Sequence, residues 1–501
     1  MIKHQTYKYK ERLLTDSLLA GSVAILLAGG TRFAALSALA LLLFVLLSSW
    51  VIVHFRLHCH YLMAMAFLLP FSIEIPLSEN INLFMPGEPM ILIALFSIGW
   101  EILRRPALFI TLFSGESRWV IPLVFSFIIS LVFSVMKIVS LKFSMINLSY
   151  LVVFFLWQKL LLKERPNLFP RLLLLFSLSQ FLVLCYSIYQ FAGFEFNTVT
   201  IKGIFRPFYK DHTILGATGA FLSTFWLLSI ERAKNAIQKL SSAFLGLVFL
   251  GSVFLSFSRA AFLSLVFGAI IRMAFQFHIR IKHLAIMALA GLLLVAIYRQ
   301  PVIEALSSNK NLSHDASASY LERLESSSNI STDISNLERL NRWYSGIKMA
   351  QQRPFAGFGP GTYQFQYIPF QSPQLMNRLT VKNYWHIPEN SGGTAHSEYV
   401  LALSEMGIVG LISLLAFLGR WMWISFEKSH AKVQRRDIVI AFTVLSTYLF
   451  HGAFNNFLNT DKFAFLFWGF AAWLAANYEM TKKTNPENTI HEAVTIRPGS
   501  L

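Results

Sequence analysis

Long apolar runs separated by short polar connections dominate the chain. An apolar run of about 17–25 residues crosses a bilayer as one helix. Fourteen runs are candidates for such spans, roughly 13–29, 33–53, 61–77, 88–103, 118–136, 144–162, 170–190, 213–230, 240–257, 260–277, 283–299, 397–424, 437–454 and 461–478. The pattern therefore predicts an all-α polytopic membrane protein with about 12–14 transmembrane helices.

The composition agrees with this class and excludes others. Of the 501 residues 55% are hydrophobic and only 14% are charged, whereas soluble proteins carry about 25% charged residues. The formal net charge of +17 would suit a nucleic-acid-binding protein if the basic residues formed one domain. They lie between the apolar runs instead, so we expect membrane lipids and no nucleic acid as partners.

Lysine and arginine in the short connections predict the orientation, because cytoplasmic loops are enriched in both. Connections at 104–105, 163–165 and 232–239 carry several basic residues, whereas 78–89 carries none. The predicted organisation is a cytoplasmic N-terminus at 1–12, about eleven spans within 13–299, a large outer loop at 300–396, about three spans within 397–478 and a cytoplasmic tail at 479–501.

The outer loop 300–396 is where an otherwise membrane-filling chain would keep its chemistry. Within it, 333–353 is predicted to form an amphipathic helix at the membrane surface, because apolar residues recur at three- and four-residue spacing. They are Ile334, Leu337, Leu340, Tyr344 and Ile347. Pro354 ends this helix, and the glycine-rich sequence GFGPG at 357–361 predicts a turn.

His396 stands where the outer loop re-enters the membrane. A histidine accepts or donates a proton near neutral pH, which suits a base acting on a sugar hydroxyl. The alternative interpretation is an interfacial histidine that only caps the following span.

Several cationic residues are candidates for an anion site on the same face. Arg259 lies in a hairpin between two spans, and Arg339 and Arg342 share a helix face beside Trp343. Arginine remains charged and presents a planar fork of donors to phosphate. The alternatives are snorkelling for Arg259 and anionic lipid head groups for the pair.

The outer loop 191–212 contributes Arg206 and Lys210 as further candidates, although a solvated loop would carry the same residues. The outer loops contain neither D-x-D nor H-E-x-x-H, so no metal ligand set is predicted. GFGPG follows no predicted strand and opens no predicted helix, so it is not interpreted as a dinucleotide-binding motif or a P-loop.

Three stretches together resemble the O-antigen ligase and O-antigen polymerase superfamily of bacterial envelope enzymes. Its ligases carry H-[N/S/Q]-x9-G-x-x-[G/T/Y], and here His396 and Ser397 are followed by nine residues and then Gly407 and Gly410. Residues 339–363 resemble the outer-loop segment of the family. FSRAAFLSL at 257–265 resembles its earlier Ser-Arg hairpin.

The resemblance implies a GT-C-like membrane glycosyltransferase of the bacterial inner membrane, with its active site in a large periplasmic loop. The donor would be a glycan on undecaprenyl diphosphate, the acceptor lipid A–core oligosaccharide, and no cofactor or metal would be needed. His396 would activate the acceptor hydroxyl, and Arg259 and Arg339 would bind the diphosphate. Arg342 and Arg206 would assist, and Glu405 would orient the histidine or pack the re-entry helix.

Three other functions remain open at this stage. A polymerase of the same superfamily and a protein O-oligosaccharyltransferase differ from a ligase only in the acceptor. Some polymerases carry R-x15-G in two outer loops, and neither Arg206, Arg339 nor Arg342 has that glycine, which favours the ligase. A lipid-linked glycan transporter would place charges along a pathway within its spans and show related halves, and neither is apparent.

Overall fold

The computed structural model describes residues 58–78, 81–196, 201–284, 334–376, 393–427 and 432–484, with scattered positions from 286 to 298. These residues are mainly helical. The helices are α1 (His58–Leu68), α2 (Gly87–Arg104), α3 (Ala107–Leu112), α4 (Ile121–Val132), α5 (Lys137–Tyr150), α6 (Gln158–Glu164), α7 (Leu168–Gly193), α8 (Ile201–Ile204), α9 (His212–Ser229), α10 (Ala236–Leu255), α11 (Arg259–Gln276), α12 (Ile334–Gln352), α13 (Tyr363–Gln366), α14 (Glu398–Phe426), α15 (Lys432–His451) and α16 (Asp461–Thr484). The predicted spans 13–29 and 33–53 lie outside the described residues.

Seven helical segments among the described residues are long and apolar enough to cross a membrane. They are Gly115–Val132, Lys137–Glu164, Leu168–Gly193, His212–Arg232, Ala236–Leu255, Arg259–Gln276 and Glu398–Phe426. Phe125, Ile128 and Val132 on α4 are each about half exposed, as expected of side chains that face lipid instead of water. The predicted all-α polytopic membrane protein is confirmed, and the total of 12–14 spans stays a prediction.

A two-stranded hairpin begins within the last residues of the predicted span 61–77 and extends into the connection that follows it. Helix α1 ends at Leu68, and strands β1 (Ile73–Ser78) and β2 (Ile81–Met85) pair antiparallel. Pro70 opens a short 3-10 turn after α1, since a residue without an N–H group cannot continue the helical hydrogen bonds.

Helix α16 forms the centre of the bundle. From Phe463 to Ala476 nearly every side chain is fully buried, and a helix that is apolar all round belongs in a core. Aromatic rings of the surrounding helices pack against it edge to face, among them Phe169 on Phe470 and Phe221 on Phe463. This aromatic packing holds α7 and α9 against the core.

Helix α14 contains a break at Gly407, where φ is 66° and ψ is −165°. The break releases backbone groups that a regular helix would pair internally. Phe358 and Gly359 donate backbone N–H groups to the carbonyls of Ser404 and Glu405, at 3.1 and 2.9 Å, and Ile408 N–H donates to the carbonyl of residue 354 at 2.7 Å. Residues 354–359 therefore satisfy the polar groups that the break exposes within an apolar environment.

The predicted GFGPG turn is confirmed, and it makes a second set of hydrogen bonds between this loop and α14. Gly357, Gly359 and Gly361 all have positive φ, a backbone conformation that glycine adopts without steric cost. The Glu405 carboxylate accepts hydrogen bonds from the backbone N–H groups of Gly361 and Tyr363 at 2.8 and 2.9 Å. The loop after α12 and the broken α14 thus form one hydrogen-bonded unit.

We predict that Gly407→Ala destabilises the protein by at least about 1–2 kcal/mol, the cost of placing an L side chain in a left-handed conformation. A Cβ atom there would also lie 2.2 Å from the carbonyl oxygen of Phe355. Gly419→Ala is the matched control, because a Cβ atom at that position of α14 meets nothing within 4 Å. Thermal unfolding in detergent measures the difference, and equal melting temperatures would contradict the role of the break.

Candidate functional site

His396 lies in a strained turn immediately before α14. Its φ is 51°, in the left-handed region that non-glycine residues rarely adopt. Ser397 follows it as the N-cap of α14, with its side chain accepting from Val400 N–H. Strain of this kind persists only where surrounding contacts hold it, and it is concentrated at functional sites.

Helix α12 holds one side of this turn. Arg342 donates to the carbonyl of Thr394 at 3.2 Å, and the indole N–H of Trp343 donates to the carbonyl of His396 at 3.2 Å. The Arg342 side chain is buried, at 2% exposure, and is paired with Glu338 at 2.8 Å. The N–H donors of its guanidinium group are therefore shared between Glu338 and residues 394–396, which we call the histidine turn.

The segment that follows α15 holds the other side. Thr394 donates its hydroxyl to the side chain of Asn456 at 2.8 Å. The neighbouring Asn455 contacts His451, with 3.0 Å between its amide nitrogen and Nε2 of the ring. The turn at 394–396 is therefore clamped between α12 and residues 451–456.

Burial and two cations keep His396 neutral. Burial lowers the pKa of its ring to about 4, and the positive charges of Arg342 and Arg339 lower it as well, against the opposing effect of Glu338. At pH 7 the ring is therefore unprotonated and has a lone pair available to accept a proton.

Arg339 and Arg259 approach the same end of the bundle. Arg339 is half-buried on α12, and its charge acts on both His396 and His451. Arg259 begins α11, whose Phe267 stacks on Phe450 near the end of α15. Because α11 starts where α15 finishes, Arg259 belongs to the end of the bundle that carries His451 and His396.

The predicted site residues divide into two groups. Arg339, Arg342, Trp343 and His396 come together, with Arg259 at the same end. The others lie apart from this cluster: Arg206 is exposed in the turn after α8, Lys210 pairs with Glu74 of β1 at 2.7 Å, and Glu405 binds the GFGPG turn. The geometry of Glu405 favours packing of the re-entry helix over orientation of the histidine.

The predicted amphipathic helix 333–353 exists as α12, but its faces differ from the expected stripe. Leu337 is buried, whereas Tyr344 and Ile347 are 40% and 46% exposed. The buried face includes Asn341 and Arg342, because this face packs on the polar histidine turn and on residues 371–372.

Sequence reasoning missed the segment HGAFNNF at 451–457. His451, Asn455 and Asn456 are all buried, at 1%, 3% and 8% exposure. An ionisable residue inside a predicted span is expensive and marks function, so His451 within the span 437–454 was the available signal. In the described part of the chain no three His, Cys, Asp or Glu side chains are grouped to hold a metal.

The fold and the site define a helical polytopic membrane protein with a neutral histidine among arginines at one end of the bundle. Comparison with known families matches residues 244–415 to the family described as O-antigen ligase. The match confirms the predicted resemblance to the O-antigen ligase superfamily, and it supports membrane glycosyltransfer of the ligase or polymerase type. It includes every site residue that the sequence analysis predicted except Arg206 and Lys210, and it does not reach residues 451–456. No curated protein matches the chain.

We predict that the His396 ring of the folded protein stays chemically reactive well below pH 6. Diethylpyrocarbonate modifies only neutral imidazole, and the lowered pKa of about 4 keeps the ring neutral down to roughly pH 5. Mass spectrometry of the peptide containing His396 measures the extent of labelling between pH 4 and 7.5. The same labelling of the unfolded protein is the control, and identical pH midpoints in both states would contradict the prediction.

Proposed function

We propose that the protein is an O-antigen ligase, which transfers a glycan from undecaprenyl diphosphate to lipid A–core oligosaccharide with inversion and without a metal. The observation that carries the proposal is the neutral, strained His396 beside Arg339, within the segment matched to the ligase family. The proposed location is the bacterial inner membrane, with the site facing the periplasm. The charge pattern of the short connections supports this orientation.

The proposed reaction needs one base and one activated leaving group. The acceptor hydroxyl oxygen attacks the anomeric carbon, and the bond from that carbon to the diphosphate oxygen breaks. His396 takes the hydroxyl proton, and undecaprenyl diphosphate departs with the bonding electrons. Because the diphosphate is already a good leaving group, orientation by the site contributes a large part of the acceleration.

The arginines have two proposed effects on this reaction. Arg259 and Arg339 bind the diphosphate and stabilise the negative charge that grows on it as it leaves. The negative charge of the bound diphosphate also offsets the positive charges that lower the pKa of His396. Donor binding therefore raises the pKa of the base toward neutrality, so that proton transfer becomes favourable when the donor is in place.

The remaining candidates have supporting roles in the proposal. Arg342 and Trp343 hold the histidine turn and line the donor site, and Arg206 and Lys210 contact the donor from the loop after α8. Lys210 would exchange its pairing with Glu74 for the donor. Glu405 contributes by holding the loop that carries Tyr363 against α14.

The decisive assay uses purified protein in detergent with an undecaprenyl-diphosphate-linked glycan, with and without lipid A–core. His396→Ala is expected to lower the formation of glycosylated lipid A by at least about 100-fold, the usual contribution of a general base. His283→Ala is the control, because His283 is exposed beyond the opposite end of α11. Turnover by His396→Ala near the rate of the control would contradict the proposal.

The same assay separates the ligase from the other functions. Longer lipid-linked glycans formed without acceptor would indicate a polymerase, and glycan joined to an added protein would indicate an oligosaccharyltransferase. No covalent product under any condition would favour transport of the donor.

We expect Arg339→Met to reduce turnover by about 100-fold, as the loss of one group that stabilises transition-state charge usually does. Lys348→Met is the matched control, since Lys348 is an exposed cation on the outer face of the same helix. Rates are compared in micelles with and without anionic lipid. If Arg339 only binds lipid head groups, both variants will respond equally and the loss will follow the lipid content.

A further inference from the structure

We propose that His212 is a positioning residue, which holds the turn between α10 and α11 and thereby keeps Arg259 in place at the donor site. His212 is the first residue of α9, and it lies outside the segment matched to the family. The inference rests on the proposed function, because it concerns a group that binds the donor in that reaction.

The turn that carries Arg259 is short and strained. Helix α10 ends at Leu255 and α11 begins at Arg259, so residues 256–258 form the whole connection. Phe257 has a φ of 48°, in the left-handed region that bulky residues rarely adopt. A conformation of this kind persists only where the surrounding structure holds it. The contacts around this turn therefore decide where Arg259 lies.

His212 makes the hydrogen bond that ties this turn to α9. Its ring nitrogen Nδ1 lies 2.6 Å from the carbonyl oxygen of Ser256. A carbonyl oxygen only accepts, so Nδ1 carries the proton and donates it to this bond. The end of a helix leaves carbonyl groups without a partner in that helix, and Ser256 is fully buried. The imidazole therefore supplies, from a neighbouring helix, a partner that water does not.

A close approach of the two helices places the imidazole at this carbonyl. His212, Gly216 and Gly219 follow one another at spacings of four and three residues, so they share one face of α9. A Cβ atom on Gly216 would lie 2.5 Å from Oγ of Ser256, and one on Gly219 would lie 2.3 Å from Oγ of Ser252. Backbone contact of this kind is typical of small-residue interfaces between membrane helices. Helix α9 is therefore fixed against α10 and the turn.

The start of α9 is itself held from several sides. Asp211 caps the helix, and its side chain accepts from the backbone N–H two residues on, at 2.8 Å. Tyr209 donates its hydroxyl to Gln180 of α7 at 2.6 Å. The ammonium group of Lys462 lies over the Tyr209 ring, 4.4 Å from its centroid. His212 therefore extends from a support that does not depend on the turn it holds.

These contacts surround Arg259 on both sides along the chain. Ser256 precedes it by three residues, and Ala261, which is fully buried, follows it by two. A Cβ atom on Gly216 would lie 3.0 Å from the Cβ atom of Ala261, so α9 contacts the chain before and after the arginine. Displacing the turn would move Arg259 itself, and a misplacement of about 1 Å at a reacting site can cost roughly 100-fold in rate.

The first test removes the hydrogen bond from His212. His212→Leu is expected to lower kcat/KM for the lipid-linked donor by at least about tenfold, while KM for the acceptor stays unchanged. Tyr61→Phe is the control, because the Tyr61 hydroxyl donates to the carbonyl of Met90 at 2.8 Å, a hydrogen bond of the same kind between two other helices. A rate for His212→Leu equal to that of this control would overturn the inference.

Two polar variants decide the matter even if His212→Leu fails to fold, as judged by size exclusion and melting temperature. His212→Asn places an amide N–H near the position of Nδ1 and can still donate to the carbonyl of Ser256. His212→Gln carries its amide one bond farther, near the position of Nε2. We expect the asparagine variant to retain most of the turnover and the glutamine variant to lose it. Equal turnover by the two, or higher turnover by His212→Gln, would overturn the inference.

A double-mutant cycle tests whether His212 acts through Arg259. When Arg259→Met has already removed the positioned group, adding His212→Leu or His212→Gln should cost less than about a further twofold in rate, because losses at coupled residues do not add. General structural damage would add in full to the loss from Arg259→Met. Additive losses would therefore overturn the inference.

The outcomes also separate this inference from the proposed function. Full activity of His396→Ala or of Arg259→Met would overturn the proposed reaction or its donor site. Loss of activity in both of these variants, with His212→Leu matching the Tyr61→Phe control, would leave the function standing and overturn the role of His212.

Discussion

The break in α14 at Gly407 is the constraint on which the rest of the site depends. A helix interrupted within an apolar bundle must satisfy its freed carbonyl and N–H groups, and residues 354–359 do so. This pairing determines where the loop after α12 lies, and Glu405 reinforces it through Gly361. Helix α12 is thereby docked beside the first residues of α14, where it contacts the histidine turn.

Holding His396 in a left-handed conformation requires support from elements that are distant in the sequence. Trp343 and Arg342 supply it from α12, and residues 451–456 supply it after α15. The same contacts bury the ring beside cations, which keeps it neutral. The position and the protonation state of the His396 ring therefore have the same structural cause, because the helix that holds the histidine turn also places charged side chains around the ring.

Prediction from the sequence succeeded where local chemistry was sufficient. Apolar length identified the seven helical segments that are long and apolar enough to cross a membrane, Pro354 marked the end of α12, and GFGPG marked a turn. It was less complete where the outcome depended on packing between elements. The hairpin at 73–85 begins within the predicted span 61–77, and Tyr344 and Ile347 are exposed instead of forming a buried stripe with Leu337. The residues 1–57 that would add two spans lie outside the described part.

The sequence by itself determined the membrane class, the resemblance to the O-antigen ligase superfamily and the choice of His396 as the candidate base, because apolar runs and a spaced motif are properties of the chain alone. Only the tertiary structure decided which side chains meet that histidine. Asn456 follows Thr394 by 62 positions in the sequence, and nothing in their local patterns predicts the hydrogen bond between them. Such contacts arise from the way α12, α14 and α15 pack, and packing depends on surfaces that a linear pattern does not record.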